Sequence, residues 1–266
     1  MRVRLHRRRA TTSPLPSHPA PSPDEALIQP HRERGEAEVP ARAVLTFTRP
    51  DYQLLCRLAQ AGGPPRHLWG CAVREGHWQG QPLALAAPAP GAPYAAMVLE
   101  KLIALGARLI LALGWCGSLQ PGVAVGSLVL PTLAVPGDGT SRHYAPAGAE
   151  LTADAGLLGR LRHLLAAAGA RWHQGPVWTT DAFYRETVSL VSHYQAQGVL
   201  AVDLELAALL AVGRYRRVPV AALLTVSDEL GRLKWRPGAR TPAFRRARDL
   251  AARVVLDAAA QGELNV

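Results

Sequence analysis

The chain has little of several things, and each shortage removes a class of protein. Lysine is nearly missing: Lys101 and Lys234 are the only two, so 28 of the 30 basic residues are arginine. The formal charge of +10 would otherwise invite a nucleic-acid partner. Arginine, alanine, proline and glycine are abundant together, which reads as a bias of composition. No RNP-like, zinc-finger or helix-turn-helix pattern accompanies the charge, so no nucleic acid is expected as a partner. Cysteine is scarce as well. Cys56, Cys71 and Cys116 form no CxxC pair and have no nearby histidine at ligand spacing. A disulfide framework and a metal site are therefore not expected, and free thiols in a reducing compartment are. No apolar run reaches about 18 residues free of charge, so no membrane span is expected. There is no dinucleotide fingerprint, so no cofactor is expected.

Residues 1–42 read as a disordered tail rich in arginine and proline. Arg2, Arg4, Arg7, Arg8 and Arg9 crowd the start, prolines recur, and no apolar periodicity survives among them. The first acid is Asp24, a weak feature of a transit peptide, but the prolines oppose the amphipathic helix such a peptide needs. No apolar segment of signal-peptide type is present, and the expected location is cytoplasmic.

Residues 43–266 read as one domain. Val44–Thr48 is expected as a strand and Asp51–Gln60 as a helix. Short strands follow near Leu68–Val73 and Leu83–Ala87. Gly91–Gly106 is a helix with one broad apolar face, closed by its glycine. It feeds Leu109–Leu113, an unbroken apolar run that reads as a strand covered on both faces. The run breaks into Gly114-Trp115-Cys116-Gly117-Ser118, expected as a sharp turn against a ligand. After Val125–Leu130 come a helix over 151–168, a strand over 177–179 and a helix over 187–197. A buried strand over 199–202, a helix over 205–213, a strand over 218–226 and a helix over 241–260 complete the chain. Strands alternating with helices predict an α/β fold, a single three-layer domain with a central mixed sheet flanked by helices.

Three strand ends then bring polar groups into apolar surroundings: Gly114–Gly117, Asp203 with Glu205, and Ser227 with Asp228. A carboxylate directly after a fully apolar strand is partly desolvated, which favours its protonated form and suits a general acid. Spacing alone favours a plainer role for Asp228 as a helix cap, since Ser-Asp-Glu is good N-terminal chemistry. Glu205 reads equally as a partner of a helix dipole or as an acceptor for two sugar hydroxyls. Phe183 and Tyr184 read as rim aromatics or as a stacking surface for a planar base.

LALGWCGSLQPGVAVGSLVLP, DGTSRHYAP, AVDLELAAL and LLTVSDEL, in that order, resemble four segments of the nucleoside phosphorylase and nucleosidase superfamily. That group holds purine nucleoside phosphorylases, uridine phosphorylases and methylthioadenosine nucleosidases. The resemblance covers most of residues 43–260 and implies a homo-oligomer acting on a small-molecule nucleoside. It implies that Glu205 holds the ribose hydroxyls, with Leu204 against the sugar and Asp203 beside it. Phe183, Tyr184 and Ser227 would border the base, and Asp228 would protonate N7 of a purine as it leaves. Gly114, Trp115 and Gly117 would hold the attacking phosphate or water beneath C1′.

The chain departs from that pattern at the attacking group. Ala112-Leu113-Gly114 stands where phosphorylases carry Arg-apolar-Gly, and Trp115 replaces a threonine or serine. The amino-terminal phosphate motif is reduced to Arg49-Pro50-Asp51, with Leu54 where an arginine is wanted. Arg49, Arg66 and Arg74 are the candidates to replace the missing charge. The nucleosidase glutamate is missing in register, although Asp51 is close. The Gln-x-Arg uracil clamp is replaced by Arg185-Glu186-Thr187, which favours a purine. The expectation is N-glycosidic cleavage of a purine nucleoside, with phosphate as possible co-substrate. Its alternatives are hydrolysis by water and a degenerate homologue that binds without turnover.

Overall fold

Leu109–Leu113 is apolar at every position because the strand it begins lies inside the molecule, with all five residues buried. The computed structural model describes residues 26–262. In chain order the elements are β1 (Arg42–Thr46), α1 (Arg49–Leu58), β2 (Arg66–Leu68), β3 (Cys71–Trp78), β4 (Gln81–Ala87), α2 (Ala92–Ala104) and β5 (Leu109–Ser118). There follow β6 (Leu128–Gly137), β7 (Leu151–Thr152), α3 (Ala155–Ala167), β8 (Trp172–Thr180), α4 (Val188–Ala196) and β9 (Ala201–Asp203). The last are α5 (Leu206–Arg216), β10 (Val220–Glu229), β11 (Arg236–Pro237) and α6 (Pro242–Ala260). The α/β class and the central mixed sheet flanked by helices are as expected.

Strand β5 organises the sheet. It pairs in parallel with β1 on one side and with β10 on the other. Its last residues pair antiparallel with β9. The order β10-β6-β8-β9-β5, together with the β5–β10 pairing, closes five strands into a ring, and β1-β4-β3-β2 extends from it. Helix α6 packs under β1, β4, β5 and β10, while α2 and α5 pack against each other. The ends are tied as local chemistry requires. Thr241 caps α6 through its hydroxyl, with Pro242 in the first turn. At the other end of α6 the Arg42 guanidinium donates to the carbonyls of Ala259, Gln261 and Gly262.

Three expectations need correction. The compact unit begins at His31, not at 43. Lys101 Nζ donates to the His31 carbonyl at 2.8 Å and pairs with Glu36 at 2.6 Å, and Val39 is buried. Residues 1–25 of the expected tail lie outside the described residues. Second, Gly114–Gly117 is not a turn but the second half of β5, in register with β10 from Ile110↔Val220 to Ser118↔Glu229. The glycines are there for closeness. A Cβ at Gly114 would lie 2.8 Å from the Phe47 ring, and one at Gly117 would lie 2.7 Å from Leu230. Third, Ser227-Asp228 does not begin a helix. β10 runs on to Glu229, and its register slips between Val226↔Cys116 and Asp228↔Gly117. Such a bulge re-aims the side chains beside it.

Candidate active site

A cavity of about 240 Å³ opens at the ends of β1, β5, β9 and β10, with Glu205 and Asp228 both in its wall. A larger cavity of about 730 Å³ lies at the opposite ends of β5 and β10, among Arg108, Arg160, Arg214 and Arg217. The smaller one is the candidate site, because it gathers the polar groups that the carboxyl ends of buried strands deliver.

Glu205 is placed by backbone chemistry. It is the N-cap residue of α5, yet its side chain does not cap the helix. Instead Oε1 accepts the Gly91 N–H at 2.7 Å. Gly91 begins α2 with φ of +83°, a left-handed conformation in which glycine carries no side-chain penalty. The capping of α5 falls to Asp203. Its Oδ2 accepts the N–H of Leu206 at 2.7 Å and of Glu205 at 3.3 Å. Its Oδ1 accepts the Thr179 hydroxyl at 2.6 Å, and Thr179 Oγ1 accepts the Ala207 N–H in turn. Burial pushes the pKa of both carboxyls up, and the neighbouring Asp203 charge adds to the rise at Glu205.

Asp228 is buried and accepts a hydrogen bond at each oxygen. Ser227 Oγ donates to Oδ1 at 2.6 Å and Trp235 Nε1 donates to Oδ2 at 3.0 Å. Glu186 stands in the same wall. Burial, and after it the charge of Asp228, push its pKa up to about 7. Trp115 lines the cavity and meets Phe244 edge-on, centroids 4.9 Å apart. Beyond Thr48, Asp51 is fully buried, accepting the Thr48 hydroxyl at 2.9 Å with Arg248 Nε 3.8 Å away. Burial pushes Asp51 up to about 6, against the opposing pull of Thr48 and Arg248.

Of the residues singled out from sequence, Asp228, Ser227, Glu205, Leu204, Asp203, Phe183, Trp115 and Gly117 line one cavity. Asp203 does so while accepting the Thr179 hydroxyl and the N–H groups of Glu205 and Leu206, which sets the start of α5 and with it Glu205. Tyr184 is not part of the wall: it is 94% exposed and touches Phe183 edge-on from outside. Gly114 is not part of it either, being packed against Phe47 and Leu224. Cys116 and Val202 with Phe47, Thr48, Pro90 and Glu186 complete the wall, and the last four were not anticipated. Glu186 had a signal, an acid three residues after Phe183, hidden by its place in a missing uracil clamp. The wall has four carboxyl groups and no arginine, lysine or histidine. Arg66 donates to the carbonyls of Ala37 and Glu38, and Arg74 borders a different cavity beside Tyr52 and Cys56. Among the described residues no cluster of His, Cys, Asp and Glu is arranged to hold a metal ion.

A family model described as the phosphorylase superfamily matches residues 41–260. A guanosine phosphorylase of Halorubrum lacusprofundi is 30% identical over 153 residues, 58% of this chain and 64% of that protein. A DeoD-type purine nucleoside phosphorylase of Jannaschia sp. is 31% identical over 58% of this chain and 67% of its own. A uridine phosphorylase of Thermococcus kodakarensis is 32% identical over 42% of this chain and 40% of its own. The chain thus spans about two thirds or less of the length of these relatives. Among solved structures, uridine phosphorylase from Vibrio fischeri superposes with a TM-score of 0.77 at 23% identity, covering 84% of this chain and 94% of its own. Purine nucleoside phosphorylase from Toxoplasma gondii gives 0.77 at 19% identity, covering 89% and 96%. At those identities the likeness is one of fold.

Proposed function

We propose that this chain, which belongs to the phosphorylase superfamily, cleaves the N-glycosidic bond of a purine nucleoside with phosphate as the acceptor. The observation that carries the reading is that Glu205 and Asp228, delivered by separate elements, share one cavity of about 240 Å³. In the reaction the C1′–N9 electron pair leaves with the base, a phosphate oxygen bonds to C1′, and a proton arrives at N7. Positive charge builds on the sugar and negative charge on the purine. Glu205 accepts the ribose hydroxyls, with Leu204 beneath the sugar. Asp228, steadied by Ser227 and Trp235, serves N7. General acid help of this kind is typically worth about 10²–10⁴ in rate. A homo-oligomeric, cytoplasmic enzyme without a cofactor belongs to the same reading, on resemblance alone.

A second reading, with water as acceptor, is favoured by one observation. The wall carries four carboxyl groups and no arginine, whereas a phosphate dianion is best held by charged donors. One experiment separates the two. Base release from adenosine, inosine, guanosine and uridine is followed with and without phosphate, and the sugar product is identified. Phosphorolysis gives a phosphate-dependent rate and ribose 1-phosphate; hydrolysis gives free ribose at a rate indifferent to phosphate. Asp228→Asn should lower either rate by about 10²- to 10⁴-fold. Preferred cleavage of uridine, or full activity in Asp228→Asn, sinks the purine reading.

A further inference from the structure

We propose that Glu186 makes this site select a 6-aminopurine over a 6-oxopurine. The inference rests on the base-cleaving reading and adds the identity of the base. Glu186 follows the short 3₁₀ turn Phe183–Arg185 and shares the wall with Phe183, Ser227 and Asp228. Among the described residues its carboxylate has no hydrogen-bond or ion-pair partner. Asp228 differs, since Ser227 and Trp235 already engage both its oxygens. Glu186 and Asp228 line the same small cavity, and the charge of Asp228 acts on Glu186.

On a purine, N7 and the substituent at C6 lie side by side on one edge. With Asp228 serving N7, Glu186 of the same wall is assigned to the C6 substituent. A carboxylate only accepts hydrogen bonds when ionised. A 6-amino group offers it an N–H. A 6-oxo group offers only lone pairs, and the ionised acid then faces a second acceptor in a half-buried place. Leaving such a group unpaired is what gives polar sites their strongest discrimination. Burial, and after it the charge of Asp228, push the Glu186 pKa up to about 7, so the acceptor-only form that makes this choice is the one present above that pH.

The test compares the wild-type chain with Glu186→Gln and Glu186→Ala. Two readouts are taken: kcat/KM for adenosine against inosine, and calorimetric binding of adenine against hypoxanthine. The wild type should favour the 6-amino compound in both. Glu186→Gln, whose amide N–H suits an oxo group, should shift both ratios toward the 6-oxo compound by roughly 10- to 100-fold, the range of one charged hydrogen bond. Glu186→Ala should lose the preference without that gain. Ratios unchanged by Glu186→Gln, a wild-type preference for the oxo compound, or binding of neither base overturns the proposal. If no nucleoside is cleaved but the base affinities still shift as stated, the selection stands and the cleavage reading falls instead.

Discussion

Asp228 stands where it does because Gly117 leaves it room. A Cβ at Gly117 would lie 3.1 Å from Asp228 Oδ2, 2.7 Å from Leu230 and 3.3 Å from Val202. Crowding of this kind typically costs about 1–3 kcal/mol. Gly117→Ala should therefore lower the melting temperature, by about 2–4 °C per kcal/mol in a chain of this size. It should also cut turnover below the melting range. Gly213→Ala supplies the comparison: it crowds Val220 and the Val218 carbonyl, away from the cavity, and should lose stability only. Equal turnover in the two variants while folded would refute the link to Asp228. At this scale the sequence was readable where a motif surrounded the residue, as at Glu205 and Asp228. It was misread over 183–186. A 3₁₀ turn repeats every three residues, so Phe183 and Glu186 fall on one side, while Tyr184 points to solvent. An adjacent aromatic pair in sequence hides that geometry.

Elements were legible where they carry their own punctuation. Helix α2 has glycines at both ends and one apolar face; α6 has Thr241 and Pro242 at its start. Strand β5 was cut short at Gly114 because glycine and tryptophan after leucines look like an ending. What carries the strand on is its partner β10, a contact across more than a hundred residues that no local pattern announces. The same is true of the start of α5, which is held from β8 and β9. The Thr179 hydroxyl at the end of β8 joins Asp203 to the Ala207 N–H. Thr179→Val keeps the shape and removes that joint, leaving a buried carboxylate and a backbone N–H short of a partner. The expected loss is about 1–3 kcal/mol, seen as a lower denaturant midpoint. Because Asp203 also accepts the Glu205 N–H, KM for the nucleoside should rise more than kcat falls. A variant with wild-type midpoint and KM would show that Asp203 is set in place by other means.

For the whole molecule, net charge pointed away from the site. The chain carries +10, yet the candidate cavity is walled by Glu186, Asp203, Glu205 and Asp228, and arginines gather at the opposite ends of β5 and β10. A sum over the sequence cannot report such a separation, since the topology alone decides which charges meet. Burial, and after it the charge of Asp228, have a measurable consequence at Glu186, whose carboxyl rises from 4.5 in the unfolded chain to about 7 in the fold. Between those values the unfolded chain has released the proton and the native chain still holds it, so stability declines as pH rises and levels off above about 7. Asp203 and Glu205 face the same cavity and are raised as well, and they add a decline of the same sign. Comparison with Glu186→Gln isolates the Glu186 contribution, because the other acids remain in both chains. The melting temperature of the wild type should fall relative to Glu186→Gln from about pH 4.5 to 7, and the gap should then stay constant. A gap that does not vary with pH would mean that Glu186 titrates as in the unfolded chain, affected neither by burial nor by Asp228.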